Sequence, residues 1–168
     1  MNVRWMVWVG ALLAVAVWQP AAAQGDITAP VVVTMTLSPG WIDTDNEPQT
    51  IVATARITDD LSGLVYVQIE LGPQGTTQRT TVWFRPENLI SGDTKDGIYQ
   101  TTITLPQFAA WGWWSPFFFG IGDLVGNSSY WGGGAGIPQS LIGVGFTIGP
   151  LDVLPSLFLP IAFTVLTE

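Results

Sequence analysis

Residues 50–63, Thr50-Ile51-Val52-Ala53-Thr54-Ala55-Arg56-Ile57-Thr58-Asp59-Asp60-Leu61-Ser62-Gly63, decide the fold. Ile51, Ala53, Ala55 and Ile57 alternate with Val52, Thr54, Arg56 and Thr58, the period of two that a strand with one buried face imposes. Asp59 to Gly63 then gathers the residue types that reverse a chain. The same grammar runs on to Asn127. Val65, Val67 and Ile69 share a face within Leu64–Leu71, and Gly72-Pro73-Gln74-Gly75 turns the chain. Gln78–Phe84 places Val82 and Phe84 inside and Trp83 outside. Tyr99, Ile103 and Leu105 face one way in Tyr99–Leu105, and Asp123-Leu124-Val125-Gly126-Asn127 closes the stretch with a second acidic turn. Short strands with frequent reversals predict an all-β fold, an antiparallel sandwich of about seven strands.

Working outward, Val31–Leu37 is the first strand, with Val31, Val33, Met35 and Leu37 expected on one face. Trp113–Gly122 is the most aromatic, with Trp113, Phe117, Phe119 and Ile121 on one parity and Trp114 and Phe118 on the other. A strand apolar on both faces is either central to the core or partly exposed for binding. The expected core includes Ile51, Ile57, Val67, Ile103, Trp113 and Phe117. Pro86–Gly97 reads as a polar connection and the Gly-rich Ser128–Gln139 as a flexible loop, with Leu141–Ile148 supplying a last strand beside the aromatic one.

Met1–Ala23 has the three parts of a secretory leader: Arg4, an apolar run from Trp5 to Trp18, and Ala21-Ala22-Ala23 as a cleavage site. The apolar run is too short for a membrane span, so the expected organisation is a leader over 1–23, a sandwich domain over 26–149 and an apolar tail over 150–168. Pro150, Pro155 and Pro160 interrupt that tail, which reads as an extra edge strand from Ile161 to Leu166 or as a segment that docks elsewhere. No transmembrane span is expected once the leader is removed, and the location is secreted or at the cell surface.

Five basic residues against thirteen acidic ones give a net charge of −8, and loss of Arg4 with the leader makes the balance more acidic still. Nucleic acid is an improbable partner for such a surface, because its binding depends on Lys and Arg displacing counterions. The chain has no Cys and no His, which excludes disulfides, thiolate or imidazole metal sites, and His acid–base chemistry. Any metal must be held by oxygen. Asp43-Thr44-Asp45-Asn46-Glu47-Pro48 fails as a helix–loop–helix calcium loop, since Pro48 stands where Gly is required.

With these strands and turns in order, the chain resembles the immunoglobulin-like sandwich domains, cadherin-like or fibronectin type III-like, of secreted bacterial proteins. The residues carrying the likeness are Ala29-Pro30, Thr58 to Gly63, Asp96-Gly97-Ile98-Tyr99, Leu105-Pro106-Gln107, Gly112-Trp113 and Asp123 to Asn127. The resemblance implies a cadherin-style calcium site with Asp59, Asp60, Asp123 and Asn127 as ligands. Turn chemistry alone also calls for these residue types, so the two readings stand side by side. Asp43, Asp45, Asp93 and Asp96 are weaker candidates.

Trp41, Trp83, Trp111, Trp114, Tyr130 and Trp131 lie off the clearest inward parity or in loops. They either form an exposed surface for a polysaccharide or protein partner or fold down over the ends of the sandwich. Catalysis would need a carboxylate pair of the glycoside-hydrolase kind, and no spacing of Glu47, Glu70 and Glu87 suggests one. The expectation is an exported, non-enzymatic module for adhesion, spacing or binding at the cell surface, stabilised by calcium or without a cofactor. A carbohydrate-binding module is the alternative.

Overall fold

The computed structural model describes residues 25–132 and 137–150. The leader over 1–23 and the tail beyond Pro150 lie outside the described residues. Among the described residues ten strands follow one another: β1 (Val31–Ser38), β2 (Trp41–Ile42), β3 (Gln49–Thr58), β4 (Leu64–Pro73), β5 (Thr80–Phe84), β6 (Leu89–Gly92), β7 (Asp96–Leu105), β8 (Gly112–Asp123), β9 (Ser128–Gly132) and β10 (Phe146–Ile148). Short 3₁₀ turns occupy Pro86–Asn88 and Gln139–Leu141.

Two sheets form a sandwich. One has the order β1-β3-β7-β6, and the other β2-β10-β8-β4-β5, with β9 also paired to β8. The alternation read in β3 is the reason it sits inside its sheet: Ile51, Ala53, Ala55 and Ile57 are buried, and β3 pairs β7 continuously from Gln49↔Leu105 to Thr58↔Asp96. Across the core, Val67, Ile69 and Leu71 of β4 and Val82 and Phe84 of β5 are fully buried. Ile51, Ile57, Val67 and Ile103 are core residues as expected. A continuous apolar layer of this kind is what the hydrophobic effect rewards in a chain without disulfides.

Three stretches depart from strict alternation, each at a bulge. In β4 the pairing steps from Leu64↔Asp123 to Tyr66↔Gly122, so Leu64 is buried and Val65, expected to share a face with Val67 and Ile69, is only half-buried. Glu70 pairs with Phe118 and Leu71 with Pro116, so Phe117 has no partner and the parity of β8 reverses there. Trp114 is therefore buried on one side of the bulge and Phe119 and Ile121 on the other, while Trp113 and Phe117 point outward at 47% and 51% exposure. The expectation that Trp113 and Phe117 belong to the core is thus corrected. In β1 the pairing steps from Val32↔Ile57 to Thr34↔Arg56, so Val32 and Met35 face inward and Val31 and Val33 face out.

Two segments read as loops are strands. Ser128–Gly132 pairs with β8 over Phe118–Gly122, and Leu89–Gly92 forms an edge beside β7. The former pairing works because Gly132 leaves room for a ring: a Cβ there would stand 2.9 Å from the Phe118 side chain. Residues 146–148 supply the last described strand beside β8, as expected. Among the described residues no helix is long and apolar enough to cross a membrane.

Candidate functional site: an acidic end and an aromatic face

The turn after β3 and the turn after β8 lie at the same end of the sandwich, because Leu64, which opens β4, pairs with Asp123 at the close of β8. Each turn is built by its first carboxylate. Asp59 Oδ2 accepts the N–H of Leu61 at 3.3 Å and of Gly63 at 2.6 Å. Asp123 Oδ1 accepts the N–H of Val125 at 3.0 Å and of Asn127 at 2.8 Å. Gly63 and Gly126, at φ of 94° and 96°, take the left-handed backbone that lets each turn close.

Asp26 joins them. Its Oδ2 accepts the Ser62 N–H at 2.8 Å, and its Oδ1 accepts the Thr28 N–H at 3.2 Å and the Asn127 side-chain amide at 3.1 Å. The same Asn127 amide nitrogen donates to Asp123 Oδ2 at 2.7 Å. Thr28 Oγ1 donates to Asp60 Oδ1 at 2.5 Å. One carboxylate oxygen from each of Asp26, Asp59 and Asp60 lies within 4.8 Å of the others. All four expected ligands, Asp59, Asp60, Asp123 and Asn127, come to this end, although Asn127 turns its nitrogen toward the carboxylates. Asp26 was missed by sequence reading. The signal for it was Asp26-Ile27-Thr28, in which a carboxylate caps the N–H two residues on and ties the entry segment down.

Two oxygens here are shielded from water and lack a hydrogen-bond partner: Asp59 Oδ1 and the Ser62 hydroxyl. The hydroxyl stands near Asp26 and Asp123 without hydrogen-bond geometry to either. Its proximity is the largest influence on the Asp26 carboxyl, burial opposes it, and the Thr28 and Ser62 N–H groups add to the lowering, so the group is held below the ordinary 3.8. Burial acts to raise Asp123, which is 6% exposed, but the Asn127 side chain and the N–H groups of the turn outweigh it and keep that carboxyl low as well. Neutral donors thus stabilise this negative charge. Among the described residues the one ion pair, Arg56 with Asp96 at 2.8 Å, is exposed and belongs to the four-stranded sheet.

The weaker acidic candidates serve local structure. Asp43 Oδ1 accepts the Asp45 N–H at 2.9 Å, Asp45 Oδ1 accepts the Trp111 indole N–H at 3.1 Å, and Asp93 Oδ1 accepts the N–H groups of Lys95 and Asp96.

The aromatic candidates separate into four groups. Trp114 is 1% exposed, stacked on Phe146 with centroids 5.9 Å apart, and donates its indole N–H to the Ala110 carbonyl at 2.8 Å. It is a core residue and not a binding one, because the β8 bulge sets its parity. Trp131 is half-buried against Phe119 at 4.8 Å. Trp41 and Trp111 lie at the end opposite the acidic turns, near Asp43, Asp45 and Glu47.

Trp83 and Tyr130 share the outer face of the six-stranded sheet, joined by Tyr66, which was not among the aromatic candidates. Trp83 and Tyr66 have ring centroids 6.3 Å apart, the Tyr66 and Tyr130 hydroxyls hydrogen-bond, and Tyr130 lies 6.5 Å from Phe118. Burial and then the Tyr130 hydroxyl push the Tyr66 phenol up to about 12. The intervening β8 positions are Gly120 and Gly122, where a Cβ would stand 3.1 Å from the Tyr130 ring and 2.6 Å from the Tyr66 ring. Glycine in β8 is what lets the two rings meet above the strand. The Arg85 guanidinium sits over Trp83, 4.6 Å from the ring centre, at one end of the row.

No curated protein and no solved structure matches the chain. A family model does match it, over residues 24–133, which takes in Asp26, both acidic turns, the aromatic row and every strand from β1 to β9. The chain belongs to the family described as Domain of unknown function (DUF7743).

Proposed function

We propose that this protein is an exported, non-catalytic module of immunoglobulin-like type that serves in adhesion, spacing or binding at the cell surface, with calcium bound at its acidic end. The leader pattern of Met1–Ala23 supports export. The strand orders support the immunoglobulin-like reading, since β1, β3, β6 and β7 occupy the places of strands A, B, D and E, and β4 and β8 those of C and F. Such a module acts through rigidity and through what its ends and faces touch.

The observation that carries the calcium part is the meeting of Asp26, Asp59 and Asp60 oxygens within 4.8 Å, beside an Asp59 oxygen that nothing else satisfies. Hard cations take carboxylate and backbone oxygens in flexible sets of six to eight, and an acidic end without a paired base suits that demand. A bound ion would tie the entry segment, the β3–β4 turn and the β8–β9 turn into one rigid end. The test is thermal unfolding with calcium against chelator. At a calcium concentration about a hundred times Kd, a rise in Tm on the order of 5–10 °C is expected, and Asp60→Asn should shrink it. A melting temperature indifferent to calcium would remove the ion from the reading.

A second reading, polysaccharide binding, is favoured by the Trp83–Tyr66–Tyr130 row with Arg85 at its edge. Flat rings offer apolar area at little entropic cost to the face of a sugar. Quenching of tryptophan fluorescence by neutral polysaccharides, lost in Trp83→Ala, is the expected result, and unaltered fluorescence across a panel of them would reject it.

A further inference from the structure

The β4–β5 turn and the bulge of β8 enclose a cavity of about 260 Å³ beside the outer face of the six-stranded sheet. A missing side chain shapes it. Gly72, which pairs with Ser115, has the parity of Tyr66 and Gln68 on β4, and a Cβ there would stand 2.6 Å from Arg79 Nη1 and 2.7 Å from Arg79 Cδ. The arginine therefore lies down over the strand. Its guanidinium comes to rest 4.5 Å from the centre of the ring of Phe117, the residue that the bulge turns outward.

The turn holds this arginine in place. Nη1 donates to the carbonyls of Thr76 at 3.0 Å and Gln78 at 2.6 Å, and Gln78 is itself anchored, since its Oε1 accepts the Ala110 N–H at 2.6 Å. Among the described residues, Nε and Nη2 make no hydrogen bond and Arg79 has no ion pair. Those two nitrogens form the edge of a guanidinium that grips both oxygens of one carboxylate. Among the described residues, Arg79 is the one charged side chain in the wall of the cavity, and none of the thirteen acidic residues of the chain lines it. The acid closest along β4, Glu70, accepts the Gln68 amide at 3.4 Å. The charge of the cavity thus complements an anion, although the protein as a whole is acidic.

Gln74 and Ser115 add a side-chain amide and a hydroxyl to the wall, and Pro73 and Phe117 add apolar surface. Donors and acceptors beside apolar carbon are what a sugar ring presents in return. The volume falls just below the roughly 300 Å³ at which pockets begin to hold drug-sized ligands, so it suits a single ring. Trp83 lies four residues beyond Arg79, about 13 Å along the same edge of the sheet. We propose that this cavity is a subsite for a uronic acid ring, its carboxylate held side-on by Nε and Nη2 of Arg79 and its hydroxyls by Gln74 and Ser115. The choice of a sugar as the carrier of the carboxylate rests on the polysaccharide reading. The demand for a carboxylate rests on Arg79 and the acid-free wall around it.

The test titrates the full chain with methyl galacturonoside, a single ring too small to span from Arg79 to Trp83, and with its methyl ester, the same ring without the charge. The backbone N–H resonances of Arg79 and Ser115 report binding. A saturable shift is expected with the acid, and the ester should bind about tenfold more weakly. Arg79→Gln should abolish the advantage of the acid, Arg79→Lys should restore only part of it, and Trp83→Ala should leave it intact. Acetate, which lacks the ring, should bind more weakly than the glycoside. Equal affinity for acid and ester, an advantage that survives Arg79→Gln, or acetate binding as tightly as the glycoside would each overturn the inference. Acid and ester are compared in the same unmodified chain, so the result does not depend on how well any variant folds. Quenching of tryptophan by neutral polysaccharides without an acid–ester difference would sink this subsite alone, and uronide binding at Arg79 without such quenching would sink the aromatic row alone.

Discussion

The turns at Asp59–Gly63 and Asp123–Asn127 begin with the same residue, close through a glycine with the same backbone sign, and stand at the same end of the sandwich. They differ in how completely the leading carboxylate is used. Asp123 spends both oxygens on three donors of its own turn and is nearly buried. Asp59 uses Oδ2 alone and leaves Oδ1 shielded and unpartnered, next to Asp26 and Asp60. One turn is internally complete, and the other holds unmet acceptor capacity. Identical residue types thus divide into a carboxylate fully used by its turn and one with an unused oxygen, and the division comes from neighbours rather than from the turn itself.

The largest effect expected from this contrast is at Asp123. Asp123→Ala removes the acceptor for two backbone N–H groups and the Asn127 amide in a nearly buried position, and a loss of about 2–3 kcal/mol is expected in urea unfolding. Asp59→Ala, which strands fewer donors, should cost less in the absence of calcium. Equal losses would erase the distinction between the turns.

The glycines provide the next comparison. A side chain at φ above +90° is strained by about 1–2 kcal/mol in either turn. A Cβ at Gly63 would also stand 2.5 Å from Thr94 Oγ1, whereas one at Gly126 meets nothing within 4 Å. Gly63→Ala should therefore be the more destabilising of the two by about 1 kcal/mol in the same assay. The reverse order would mean that the β8–β9 turn is the tighter one.

The smallest effect is the acid limb of stability. Asp26 and Asp123 both have carboxyls held below 3.8 in the folded protein. The unfolded chain therefore takes up their protons first as pH falls. Their stabilisation is fully present above the unfolded value and disappears as pH drops through the lower folded values. Stability measured from pH 5 down to pH 2 should fall less steeply in Asp123→Asn than in the unmodified chain. Parallel curves would remove Asp123 as a source of acid sensitivity.

Much of the fold was legible in the residues. Strict alternation in Thr50–Thr58 and Tyr99–Leu105 identified β3 and β7, and the acidic turns fell where Gly63 and Gly126 require them. Where alternation failed as a guide, a bulge was the reason. One unpaired residue, Phe117, reversed the parity of β8, exchanged Trp113 for Trp114 in the core and removed Trp114 from the binding candidates. Ser128–Gly132 read as a loop because glycine weakens a strand locally, yet the Phe118 ring of β8 covers Gly132 once the two strands pair.

The amino-acid order by itself determined an all-β fold and confined any metal ligands to oxygen: period-two stripes separated by turn residues, and a chain with neither Cys nor His. Tertiary structure alone decided that Asp26 stands with Asp59 and Asp60, and that Trp83, Tyr66 and Tyr130 form one row. Those groupings join residues far apart along the chain, so they depend on sheet register and bulge position, which pairing across strands sets and local composition does not encode.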